Sequence, residues 1–407
     1  MIYQKLFDTY INYLEPSLQK RRFKHQDIGG LINALPFEKE IVGLSFEERE
    51  IYKIKVGQGE RKILLWSQMH GNEATATMAI FDILNFLKPQ NDEFQDFRNE
   101  ILNKLDLHFV PMLNPDGAER FIRRTAQGID MNRDAVALQC PESKILKSLV
   151  FDLEPEFSFN LHDQNIRYSA GISSEQATIS FLATAYNQET EWNEVRTKSR
   201  QVISAMNEVL KNFIPRNIGR FSDEYEPRAF GDNIQKWGSS LILIESGGYK
   251  HDTEKQFIRK LNFVSILSAF DAIINEDYRK YTLQDYQQIP QNEKYLFDLK
   301  IINAKIKLGE TVFDVDLGVN FEEKNILGAS EFTHKSVIED MGDLSVFWGI
   351  DTLDAYGGFL RPFSDFPIFA EKYNFQKQNQ VLEGEEAHFI IDHGDHQTVI
   401  LNGKVVE

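Results

Sequence analysis

Five short strings in this chain carry side chains able to do chemistry. His70-Gly71-Asn72-Glu73 follows an apolar run and precedes a helical pattern. His70 and Glu73 are three apart, so on a tight turn or a first helical turn both can face one point. An imidazole nitrogen and a carboxylate oxygen are ligands for first-row metals, zinc among them. Read alone, the string also fits a turn capped by Asn72 with an exposed Glu73. Asn114-Pro115-Asp116-Gly117 ends another apolar run, and by itself it reads as a plain turn, since each residue favours turns for its own reason. Arg123, Arg124 and Arg133 cluster in an otherwise acidic chain. Arg133 beside Asn132 makes a fork plus an amide donor, a pair suited to gripping a carboxylate. His162 closes the run FSFNLH. With His70 and Glu73 it would complete a His₂Glu set that leaves a fourth zinc position open. Glu245 closes the apolar run LILI, where burial raises a carboxyl pKa unless a partner offsets it. A general base acting near neutrality needs that property.

These residues need elements to hold them. IYKIKV (51–56) and KILLWS (62–67) read as strands, and Gly57-Gln58-Gly59 between them suggests a hairpin. Residues 74–87 read as a helix, 105–113 as a strand ending at Asn114-Pro115, and 156–162 as another strand. A helical pattern runs from 189 to 214, a strand from 239 to 246 and a helix from 253 to 274. Strands alternating with helices predict an α/β fold, with a mostly parallel or mixed sheet covered by helices on both faces. At such a sheet, ligands bind beyond the C-terminal strand ends, where His162 and Glu245 fall.

The order H-x-x-E, NPDG, R, NR, H, E resembles the zinc carboxypeptidases of the M14 peptidase family over about residues 40–275. The resemblance implies one zinc ion per chain, held by His70, Glu73 and His162, with Glu245 as general base. It implies Arg123 as the residue polarising the scissile carbonyl, with Arg124 next to it. Asn132 and Arg133 become the clamp for a substrate's C-terminal carboxylate. Tyr225, upstream of Glu245 in RFSDEYEPRAFGD, is the candidate for the family's lid tyrosine, or else a packing residue. The expected partner is a peptide or small amide with a free carboxylate. Acylamino-acid hydrolases of the succinylglutamate desuccinylase and aspartoacylase group share an HGNE-like turn, a downstream D-x-N-R and an extra β domain. They are the alternative, which NPDG and the long interval before Glu245 disfavour.

The rest of the chain bounds these readings. Its 407 residues allow two or three domains. Residues 1–40 are expected as a helical segment packed on the catalytic domain, with an amphipathic helix from Tyr3 to about Leu18. The catalytic domain is expected over 41–281, a polar linker over 282–295, and a C-terminal all-β accessory domain over 292–407, where short alternating runs prevail. The net charge of −17 disfavours nucleic acid and anionic membranes as partners. A single cysteine, Cys140, excludes an internal disulfide and a multi-thiolate zinc site. No secretory signal or membrane-length apolar run is seen, so a cytoplasmic protein is expected.

Overall fold

The computed structural model describes residues 2–375 and 380–406. The chain forms two compact units. The first comprises Met1–Ile166 and Ala177–Asn292; the second comprises Arg167–Gln176 and Glu293–Glu407.

The first unit is built on an eight-stranded mixed sheet among the described residues. Its strands are β1 (Glu38–Leu44), β2 (Glu50–Val56), β3 (Arg61–Ser67), β4 (Leu105–Val110), β5 (Phe157–Asp163), β6 (Ile179–Leu182), β7 (Ile218–Arg220) and β8 (Ser240–Ser246). Their order is β1-β2-β4-β3-β5-β8-β6-β7. The centre, β4-β3-β5-β8, is parallel, while β2 on one side and β6 on the other run antiparallel to it. The central runs are apolar because both faces are covered. On one face Leu64, Trp66, Leu241 and Leu243 pack with Leu146, Leu149, Phe230 and Ile234. Helices α3 (Thr75–Leu87) and α9 (Gln256–Asn275) are buried nearly all round, as expected of helices without a solvent face.

Several expectations are corrected. The Gly57-Gln58-Gly59 segment is not a hairpin, because β4 lies between β2 and β3. Gln58 and Gly59 donate instead to the carbonyls of Leu102 and Leu105. A Cβ on Gly59 would stand 1.9 Å from the Lys104 carbonyl carbon, so a close backbone approach, not a hairpin turn, requires this glycine. The N-terminal helix stops early. Helix α1 spans Ile2–Asp8, a 3₁₀ turn follows at Tyr10–Asn12, and α2 spans His25–Ala34. Tyr10, Tyr13 and Leu18 are nonetheless buried. The polar stretch after 281 is not an open linker. It holds a short helix, Leu283–Gln287, capped by Thr282, with Tyr286 and Ile289 buried.

The second unit is sheet-rich, as expected, and is built on a second eight-stranded sheet among the described residues. Its core gathers Ile301, Leu317, Val319, Ile338, Phe389, Ile391 and Ile400. It also contains the helix Pro367–Lys372. Phe363, Ile390 and Val399 form a smaller cluster, against which Phe366 and Phe369 pack.

Candidate metal centre

Three loops meet at the C-terminal ends of β3, β5 and β8. The chain leaves β3 toward β4 on one side, and β5 lies on the other. This is the reversal of strand order at which α/β sheets open a crevice. The turn after β3 carries His70 and Glu73, and β5 ends with His162 and Asp163. Glu245 on β8 is paired directly with His162 across the parallel ladder.

The donor atoms of His70, Glu73 and His162 all lie within 4.8 Å of one another, and all three residues are buried. His70 Nδ1 is 2.8 Å from Glu73 Oε1, and His162 Nδ1 is 2.7 Å from Glu73 Oε2. His70 Nε2 lies 3.1 Å from Asp130 Oδ1. A proton on Nε2 donated to that carboxylate leaves Nδ1 as the nitrogen offered to a metal. Burial pushes the His162 imidazole down toward its neutral form, the form that ligates. Burial alone would raise the Glu73 carboxyl, but the two imidazoles hold it well below the usual range. Glu245 stands the other way. Burial, then the Glu73 and Asp163 carboxylates, raise it well above that range. Its Oε2 is buried and has no hydrogen-bond partner among the described residues. Two imidazoles and a carboxylate converging on one point, beside an unsatisfied carboxyl oxygen, fit a zinc ion by donor type and number.

Arg123 joins this group and Arg124 does not. Arg123 Nη1 is 3.1 Å from Glu73 Oε1 and its Nε donates to Asp130 Oδ2 at 3.0 Å. Arg124 is exposed and donates to the Gly128 carbonyl. Asp130, which the sequence reading passed over, is the hub. It contacts His70, Arg123 and the Asn132 N–H. Its signal was its place in Asp130-Met131-Asn132-Arg133, two residues before the expected clamp. Burial would raise the Asp130 carboxyl, but His70 and Arg123 lower it. Asn132 accepts the Phe230 N–H at 2.9 Å, which turns its amide NH₂ to other partners. Arg133 Nε lies 3.0 Å from Glu226 Oε2, and Glu226 is also held by Arg228. Tyr225, next to Glu226, is half-buried on the loop after β7, and no hydrogen bond joins it to the His70–Glu73–His162 group among the described residues. The NPDG string is more than a turn. It starts helix α5 (Pro115–Arg120), with the Asn114 side chain accepting the Gly117 N–H at 2.9 Å.

Residues 36–167 match the family described as zinc carboxypeptidase, M14. The matched stretch contains His70, Glu73, Arg123, Asn132, Arg133 and His162, whereas Glu245 lies beyond it. The chain is 30% identical over 105 residues to a probable carboxypeptidase 2 of Trichophyton verrucosum, an alignment covering 25% of this chain and 20% of the relative. It is likewise 30% identical over 105 residues to carboxypeptidase 2 of Trichophyton rubrum, covering 25% of this chain and 19% of that one. The chain thus spans about a fifth of the length of the curated relatives it matches. A metallo-carboxypeptidase from Burkholderia cenocepacia aligns with a TM-score of 0.49 at 15% identity, covering 62% of this chain and 69% of that one. Carboxypeptidase A from Helicoverpa armigera aligns with a TM-score of 0.49 at 14% identity, covering 69% and 81%. Among the described residues, no helix is long and apolar enough to cross a membrane.

Proposed function

We propose that this chain is a zinc-dependent carboxypeptidase that hydrolyses the C-terminal peptide bond of a peptide substrate. The observation that carries the reading is the convergence of His70, Glu73 and His162, with Glu245 directly across the ladder from His162. These three side chains would hold one zinc ion, which supplies Lewis-acid polarisation of a carbonyl and lowers the pKa of a water. Glu245 takes a proton from the attacking water and returns it to the leaving amine nitrogen. Its environment supports that role, since burial and neighbouring carboxylates strengthen its hold on a proton. Arg123, itself exposed to solvent, offers a cation to the carbonyl oxygen that gains charge. Asn132 and Arg133 hold the terminal carboxylate by an amide donor and a guanidinium, which sets the register so that one residue is released. Arg124 and Tyr225 are further substrate contacts on this reading, Tyr225 as the closing residue of the loop before α8 (Phe230–Lys236).

The test is a digest with added zinc of matched peptides bearing free or amidated C-termini, beside N-acyl amino acids. Free-acid peptides are expected to lose one C-terminal residue, and amidated ones to be poor substrates. Glu245→Gln should lower turnover by about 10²–10⁴-fold. Arg133→Ala should cost about 2–5 kcal/mol on free-acid substrates and far less on amides. Turnover of N-acyl amino acids with no peptide cleavage would move the chain to the acylamino-acid hydrolases.

A further inference from the structure

Behind the metal donors lies a buried charge pair that the mechanism above does not use. Asp163 closes β5 next to His162, Ser246 closes β8 next to Glu245, and the two are paired across the ladder. Lys255, the residue before α9, is 4% exposed. Its Nζ donates to Asp163 Oδ2 at 3.1 Å and to the Ser246 carbonyl at 2.9 Å. Thr75, two residues after Glu73, donates to the same Asp163 oxygen at 2.6 Å. The Asp163 N–H in turn donates to Glu73 Oε2 at 3.2 Å. One ammonium therefore ties the strand end bearing His162, the strand end bearing Glu245 and, through Asp163, the helix start that follows Glu73. The position is costly to hold. Lys255 has φ of 53°, in the left-handed region that side chains disfavour, and a buried ammonium forfeits its hydration. Only the groups it binds offset those costs.

We infer that Lys255 is a positioning residue for the metal centre. By clamping Asp163 and the Ser246 carbonyl, it fixes the two strand ends on which His162 and Glu245 stand. The inference rests on the zinc reading of the site. It also has a sign that sets it apart from simple charge effects. An ammonium near a cation site repels the cation, so Coulomb forces alone predict tighter zinc when Lys255 loses its charge. Positioning predicts looser zinc.

Zinc affinity, read by competition with a chelator, separates the two in full-length Lys255→Met and in the double variant Lys255→Met/Asp163→Asn. We expect zinc to bind about 10–100-fold more weakly in Lys255→Met, with kcat on a free-acid peptide lowered by a comparable factor and KM within about threefold of the parent. The double variant buries no lone charge, so it carries the test if the single variant fails to fold. It too should bind zinc weakly, because the tie between the strand ends is gone although the charges balance. Parent-like zinc affinity in the double variant, or tighter zinc in the single one, would overturn the inference. The affinity measurement needs no turnover. A parent that binds zinc yet cleaves no peptide would sink the functional reading alone, whereas an active parent whose variants bind zinc normally would sink this one alone.

Discussion

His70 and Glu73 are each held in place by a neighbour outside the ligand set. Asp130 is the clearest case, since one carboxylate contacts His70 Nε2, the Arg123 Nε and the Asn132 N–H. Asp130→Ala should therefore loosen zinc by about 10–100-fold, measured by chelator competition, even though Asp130 is not among the ligands. A second carboxylate makes a prediction about pH. Burial pushes Asp232 up to about 7 from the ordinary aspartate value. Between those two values the folded state binds the proton and the unfolded chain does not, so stability falls as pH rises. The contribution is fully present below the unfolded value and lost as pH climbs through about 7. Asp232→Asn, which keeps an oxygen for the Glu226 N–H, should flatten the decline in melting temperature between about pH 5 and pH 8. An unchanged pH profile would place the titration elsewhere.

Among the elements, the turn His70–Glu73 depends on a helix distant in sequence. A Cβ on Gly71 would lie 2.0 Å from the Gly117 carbonyl carbon and 2.2 Å from the Ala118 nitrogen, both backbone atoms at the start of α5. Backbone cannot retreat as a side chain can, so Gly71→Ala should destabilise the fold by about 1–3 kcal/mol and weaken zinc as well. Calorimetry with and without zinc would check both. The same contact shows what could be read in the sequence and what could not. Strand ends were legible because apolar runs stop where the sheet meets the crevice. That placed His162 and Glu245 at β5 and β8, and His70 just past β3. What the HGNE turn rests on was not legible, because NPDG reads locally as a turn and only packing makes it a helix start. Nor was the insertion of β4 between β2 and β3, since neighbours in a sheet are chosen by helices that cross over and not by sequence adjacency. Strands β6 and β7 are too short for their period to stand out, and no local pattern joins Asp130 to His70.

At the scale of the whole molecule, the first unit is secured from its N-terminal end. Asp82 on α3 and Arg259 on α9 form an ion pair with both side chains fully buried. The N-terminal segment completes it. Tyr10 donates to Asp82 at 2.6 Å, the Glu15 N–H donates at 2.7 Å, and Arg259 donates to the carbonyls of Leu18 and Glu15. Removing one partner of such a pair leaves a buried charge uncompensated, at a cost of about 3–5 kcal/mol. Arg259→Met should lose about that much in denaturant unfolding, and Asp82→Leu/Arg259→Met should recover most of it. A single variant as stable as the parent would mean that water reaches the pair.

The second unit takes one of its pieces, Arg167–Gln176, from the interval between β5 and β6, and the rest from Glu293 onward. A ribosome delivers these pieces far apart in time. At roughly 5–20 residues per second, the short piece waits on the order of ten seconds for the strands it joins. During that interval the first unit is still lengthening, with β6, β7 and β8 yet to be made. The nascent chain must then hold an unfinished ten-residue excursion open while the sheet closes on either side of it. Arrest peptides placed after Asn292 and near the C-terminus would time the two events. A folding force that appears at the first position shows that the sheet closes without waiting for the excursion's partners.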